Sequence, residues 1–319
     1  MNKINRLSAS LVIVISLIAW GCEKDNDGQD SGEEIFTADI TSMSQFFSFN
    51  TGEFVNTYDI VFSLQNMSYV VQLNSAAGVQ AILDSSGDFD AASHPDTSFL
   101  YDTSDYNVIG SVWLDIDTYN PTDHSIQSNG NIYFIRSADY EWVKFSVLSG
   151  SPTEFSIKYA VKQEDDTFGE IQLVTIVYSE DSSAYYEFTS GELMEPENWD
   201  IGFISISVYA PGVGIFFMPA VHLNYDEGVR VAVLETTDFD DIFSVPTDVN
   251  WLSDTGGQRN LGYLGPSEVL VYHPEPPYNH KVLLEHPEYV YLIETNGLFY
   301  KIHFLEYSSG VVLFEYDKL

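Results

Sequence analysis

The chain has 319 residues, 45% of them hydrophobic and 15% aromatic, which is enough for more than one packed core and too much for wholesale disorder. Its 48 acidic and 12 basic residues give a formal net charge of -36, a field that repels phosphate backbones and excludes nucleic acid as a partner. Cys22 is the single cysteine, so no intrachain disulfide forms and stability rests on the core.

The N-terminus begins with a short basic stretch, "MNKINR", then an apolar run, "LVIVISLIAW", too short and too early for a stable membrane span. "GC" follows, which completes the order of a secretory signal peptide over residues 1–21. Ala19-Trp20-Gly21 before Cys22 resembles a bacterial lipobox, with Trp20 departing from the usual consensus. Cys22 is then expected to carry the lipid, an anchor that holds a protein on a membrane without crossing it. Residues 22–34 are acidic and rich in Gly and Ser, the composition of a flexible tether. Their Lys-plus-acid start resembles the signal that sends some lipoproteins to the outer face of the outer membrane. The expected location is therefore the outer membrane, lipid-anchored and exposed at the cell surface.

Beyond the tether the chain repeats itself. "FFSFNTGE" at 46–53 matches "YYEFTSGE" at 185–192 with an offset of 139, and "TYDIVF" at 57–62 matches "NWDIGF" at 198–203 with an offset of 141. The stretch 70–90 matches 220–240 at an offset of 150, "IYFIRSAD" matches "VYLIETNG" at 158, and "KFSV" matches "KIHF" at 157. Each half ends in an alternating run, "EFSIKYAVK" and "GVVLFEYDK". Matches that keep their order while the offset drifts at loops mark two homologous domains rather than a short-period solenoid. The polar stretch "KQEDDTFGE" at 162–170 divides them, giving expected domains at 35–163 and 171–319.

Most segments of both halves are rich in Val, Ile, Tyr and Phe, alternate in polarity and are bounded by Gly, Asn, Asp or Ser, the pattern of strands. Within "NWDIGFISISVY" one face runs Trp199, Ile201, Phe203, Ser205, Ser207, starting aromatic and ending polar, which predicts a strand passing from core to rim. "SADYEW" and "NGLF" read as hairpin turns and "DFDDIF" as a short helical turn. The expected fold class is all-β, mostly antiparallel, built twice.

These residues carry a family resemblance. An aromatic-x-Phe-x-x-Gly-Glu strand and turn, a Trp-Asp-Ile-x-Phe strand, and a closing hairpin such as "VYLIETNGLFYKIHFLEY" resemble the HmuY-like haem-binding lipoproteins, here in two tandem copies. The resemblance implies an all-β fold, a lipid anchor in the outer membrane, haem b as cofactor, and delivery of haem to a TonB-dependent transporter. It also implies two axial side chains, His and in some relatives Met, clamping haem from opposite faces in an apolar slot.

Carried over residue by residue, one family ligand falls on His273 in "EVLVYHPEPP", with Tyr272 beside it for stacking. The first repeat has Thr118 at or near that place and so lacks this ligand. The other ligand belongs to the interval 241–272, which contains neither His nor Met, while the corresponding interval of the first repeat holds His94. His222 in "AVHLNY" and Met218 in "FFMPA" are the substitute candidates for the second ligand. His222 stands where the first repeat has Gln72, a pairing that also fits a plain polar strand position.

The remaining histidines have simpler readings. His280 and His286 share the Pro-rich stretch "HPEPPYNHKVLLEHPEY" with His273, where they are metal donors or solvated loop residues. His303 reads as a strand residue at a rim. Trp251 and Tyr278, like Tyr272, serve either a flat ligand or ordinary packing. The acidic loops 102–105 and 115–123 offer carboxylates to calcium but lack the spacing of an EF-hand loop. No nucleophile elbow, phosphate loop or zinc-protease motif is present, so no enzyme is expected. Two readings follow: a haem-capturing surface lipoprotein, or an adhesion, glycan-contact or other ligand-binding lipoprotein that kept the fold and lost haem ligation.

Overall fold

The computed structural model describes residues 32–319 apart from 85–86, 91–96, 104, 165–166, 180–181 and 256–257. The expected signal peptide, Cys22 and His94 lie outside the described residues. The tether ends sooner than its composition suggests, because Glu33 and Glu34 already belong to a strand.

The first repeat contributes β1 (Glu33–Phe36), β2 (Gln45–Ser48), β3 (Glu53–Val55), β4 (Ile60–Gln65), β5 (Ser68–Leu73) and β6 (Gln80–Asp84). A short hairpin, β7 (Leu114–Asp115) and β8 (Ile126–Ser128), precedes β9 (Ile132–Arg136), β10 (Trp142–Gly150) and β11 (Glu154–Val161). The second repeat opens with β12 (Gln172–Val177), β13 (Ala184–Glu187) and β14 (Glu192–Met194). The two long strands β15 (Ile201–Ala210) and β16 (Gly214–Leu223) follow, then β17 (Arg230–Leu234) and β18 (Leu252–Ser253). The chain closes with the hairpin β19 (Leu270–His273) and β20 (Lys281–Leu284), then β21 (Val290–Thr295), β22 (Leu298–Ser308) and β23 (Val311–Lys318). All the pairings among these strands are antiparallel, and among the described residues the helical content is limited to 3-10 turns such as Phe239–Asp241 inside "DFDDIF". The protein is all-β.

The repeats do not fold side by side. The opening hairpin of the first repeat, β2–β3, pairs with β15 of the second, with Phe47 opposite Ile201 and Phe46 opposite Gly202. The matching hairpin of the second repeat, β13–β14, pairs with β4 of the first, with Tyr186 opposite Ile60 and Tyr185 opposite Val61. The flanking strands exchange in the same way: β1 pairs with β23, the last strand of the chain, and β12 pairs with β11. One module is therefore continuous, residues 57–194, and the other joins residues 32–55 to residues 198–319. Together they make one compact unit.

Buried aspartates pin this exchange. Asp59 accepts the amides of Phe188 at 2.8 Å and Ala138 at 2.6 Å. Asp200, its counterpart, accepts the amide of Phe49 at 2.7 Å and the hydroxyl of Thr295 at 2.6 Å. Each carboxylate thus ties down the turn that the other repeat lends. A second pair is internal to the modules: Asp102 accepts Leu73 and Val108, and Asp254 accepts Leu223 and Asn260. In all four, short acids replace water around strand-end amides that the ladders leave unpaired.

The core of the first module centres on Phe62, Tyr133, Phe145, Phe155, Tyr186 and Phe188. That of the second centres on Phe47, Phe203, Tyr291, Phe304 and Phe314. β15 serves both, with Ile201 and Phe203 facing its own module and Ile204 and Ile206 facing the other. The expected passage of this strand from core to rim does not occur, since Ser205 and Ser207 are buried. β2 is too short to cover β15 beyond Phe203, and side chains of the first repeat cover the rest. Arg136 donates to the Ser205 carbonyl, the Ser205 amide donates to the Tyr140 hydroxyl, and the Ser207 hydroxyl donates to Gln80. The open edge is sealed by polar side chains rather than by a strand.

Two outcomes follow. Residues 57–194 expressed alone give a cooperative urea transition, whereas residues 35–163, which lack β12 to β14, do not. Burial raises Asp59 to about 7 and Asp102 to about 6, and it raises Asp200 and Asp254 as well. Between roughly pH 4, where an unfolded carboxylate titrates, and pH 7, the folded state holds more protons than the unfolded chain. Stability therefore falls as pH rises through this window, and the urea midpoint of the whole protein is higher at about pH 5 than at about pH 7.

Candidate functional site

At the junction of the modules the sealed edge of β15 leaves a cavity of about 270 Å³. Its apolar lining comes from Phe99 of the first repeat and from Ile206, Val208 and Ile215 of β15 and β16. Its polar lining comes from Tyr101 of the first repeat and from His222, Arg259 and Tyr263 of the second.

His222 is fully buried, and the backbone of Ala76 stands within hydrogen-bonding reach of its ring without well-aligned geometry. Burial, reinforced by the Arg259 charge and opposed by a backbone hydrogen bond with Ala76, holds its pKa well below the ordinary histidine value. The imidazole is neutral across the physiological range, with one N–H donor and one lone pair. Gly262 makes room for the ring: a Cβ there would lie 2.9 Å from Cδ2 and 3.0 Å from Nε2 of His222.

Arg259 is 9% exposed and crosses the junction. It donates from Nη2 to the Ser75 carbonyl at 2.7 Å and from Nη1 to the Thr255 carbonyl, while its Nε has no partner. Its guanidinium lies 5.1 Å from the centroid of Tyr101 and 4.8 Å from that of Tyr225. The Tyr101 hydroxyl is buried without a partner; burial raises its pKa, and the charges of Arg259 and Arg136 work against that rise. Among the described residues neither arginine forms an ion pair with a carboxylate. Arg259, Arg136 and Tyr101 were not candidates in the sequence. The available signal was an Arg within the apolar strand "IYFIR" of a chain so poor in cations.

The other sequence candidates are not gathered here. His273 closes β19 outside the cavity lining; its Nε2 shares a 2.9 Å hydrogen bond with Glu285, and the Tyr278 ring lies 5.1 Å away. Tyr272 bonds His280 through its hydroxyl and leans on Phe216 at 6.4 Å. Met218 is 2% exposed and packs into the junction core. It shares a strand face with His222 but stands four residues away, about 13 Å along the strand, so the two side chains project in parallel and do not oppose each other across one plane. Thr118 serves its own hairpin, bonding the Asp115 carbonyl and the Gln127 amide. His286 stacks on Tyr289 at 4.1 Å, His303 bonds Glu315 and the Pro287 carbonyl, and Trp251 packs near Phe299. Among the described residues no group of three His, Cys, Asp or Glu side chains gathers as a metal site. Among the described residues, His273, His222 and Met218 are not brought to opposite sides of one slot.

No family model and no curated protein matches the chain. A crystal structure of the apo HmuY analog (TFO) of Tannerella forsythia is similar at 11% identity, over 46% of this chain and 97% of that one, with a TM-score of 0.19.

The unpartnered hydroxyl gives a direct test of the cavity's polarity. Tyr101→Phe removes a buried group that has no hydrogen bond, so it raises the unfolding free energy by about 1 kcal/mol, read from urea denaturation. Loss of stability on this substitution contradicts an unpaired hydroxyl.

Proposed function

We propose that this chain is a non-catalytic binding protein, held at the outer membrane by a lipid on Cys22, whose ligand occupies the cavity between the two modules. The observation that carries this reading is a cluster of buried polar groups at one cavity: Arg259 Nε and the Tyr101 hydroxyl, unpartnered among the described residues, beside the fully buried imidazole of His222. Buried polar atoms normally find partners, and a group of them left open around a mostly apolar hollow is the character of a ligand site. The test is a thermal-shift screen of small organic ligands against the wild type and Ile215→Trp, which fills the cavity. The reading requires stabilising ligands whose effect Ile215→Trp removes; shifts that are the same in both proteins overturn it.

A second reading, capture of haem or a related tetrapyrrole, is favoured by one feature of His222. A neutral imidazole is a good iron donor, and here it is His222 rather than His273. The cavity lies below the roughly 300–1,000 Å³ of ordinary ligand pockets, so a porphyrin requires the junction to open. Titration with haemin, followed at the Soret band, separates the possibilities. A saturable shift lost in His222→Ala and kept in His273→Ala supports this reading. A shift lost only in His273→Ala returns the ligand to the β19–β20 hairpin. No saturable shift at low micromolar haemin removes haem altogether.

A further inference from the structure

We infer that the junction cavity binds the carboxylate of a small organic acid with an apolar body, held by Arg259, Tyr101 and His222. This rests on the reading of the cavity as a ligand site and adds the chemical class of the ligand.

Three polar groups converge on the cavity. The Nε–H of Arg259 and the hydroxyl of Tyr101 are buried and unpartnered among the described residues, and neutral His222, beside the Ala76 backbone, adds a third polar group. A desolvated guanidinium is costly unless it meets an anion or a full set of acceptors. Arg259 has carbonyl acceptors on its two terminal nitrogens and the Tyr225 hydroxyl beside it, but no acceptor on Nε among the described residues. Its charge reaches Asp226 and Asp254, but neither forms an ion pair with it, and Asp254 already accepts the amides of Leu223 and Asn260. The buried Arg136 adds a second positive charge felt at the Tyr101 hydroxyl. In a chain of net charge -36, a hollow with two nearby guanidinium groups is a local inversion of sign.

The rest of the lining selects the body of the ligand. Phe99, Ile206, Val208 and Ile215 present no charge, so a bare inorganic anion leaves most of the cavity unfilled. A volume of about 270 Å³ suits an acid smaller than a drug-sized molecule. The first repeat has no copy of this arrangement: Gln72 stands where His222 does and is bonded by Gln65.

The experiment is isothermal titration calorimetry of the purified protein with phenylacetate, its neutral isostere phenylacetamide, and inorganic phosphate. The expected result is saturable binding of phenylacetate, with phenylacetamide and phosphate at least about tenfold weaker, the value of one charge-assisted hydrogen bond. Tyr101→Phe, which keeps the fold, weakens phenylacetate about tenfold, and Arg259→Met weakens it further. Equal binding of acid and amide, both lost in Ile215→Trp, overturns the anion proposal and leaves the cavity reading standing. Equal binding of phosphate and phenylacetate overturns the apolar body. Phenylacetate affinity unchanged in both Tyr101→Phe and Arg259→Met overturns the proposed donors, and no binding of phenylacetate to the wild type overturns the proposal outright.

Discussion

The structure depends on two buried carboxylates that hold what the other repeat supplies. Asp59 binds the Phe188 turn of the second repeat, and Asp200 binds the Phe49 turn of the first. Without these bonds the lent hairpins would keep their strand pairings but leave turn amides buried and unpaired. The exchange they secure makes each module incomplete without the other repeat. It also places β15 between two cores, so that a strand which begins as an ordinary sheet member ends as the floor of a junction.

That junction is where the copies diverge. In the second repeat Arg230 stands opposite Glu294 across β17 and β21, and the two form an ion pair. In the first repeat the same register places Gln80 opposite Arg136, so the arginine has no acid across the ladder. Arg136 turns instead to the Ser205 carbonyl, while Gln80 bonds Ser207, sealing the edge of β15. A cation that is paired and half-exposed in one copy is buried and unpaired in the other. The same asymmetry sets His222 against Gln72. Two similar frameworks meet here, and the polar differences at their contact make one distinctive hollow.

Much of the framework was legible in the residues. Alternation and turn composition marked the strands, and the offsets between repeats paired the right elements: "TYDIVF" with "NWDIGF" aligned Asp59 with Asp200 before any bond was known. The exchange was not legible, because a hairpin with one apolar face pairs equally well with β4 or with its copy β15, and only chain geometry chooses. The site was partly legible. His222 stood out as a histidine within a strand, but it ranked as a substitute ligand beside Met218. His273 drew attention through its neighbours in sequence, yet its ring is occupied by Glu285. Arg259 and Tyr101 carry no local signal, since a residue in a loop shows nothing of what it will cross or face.

By itself, the sequence determined the all-β class, the acidic character, and the aspartates that stand at matching places in its two halves. These are properties of period, composition and order, which survive without knowledge of what lies opposite. Tertiary structure decided which repeat completes which module, that Ser205 and Ser207 are buried, and that His222, Tyr101 and Arg259 surround one cavity. Those outcomes depend on contacts between residues more than one hundred positions apart, such as Ser75 and Arg259, where pairing, burial and the removal of water set the chemistry and no local pattern records it.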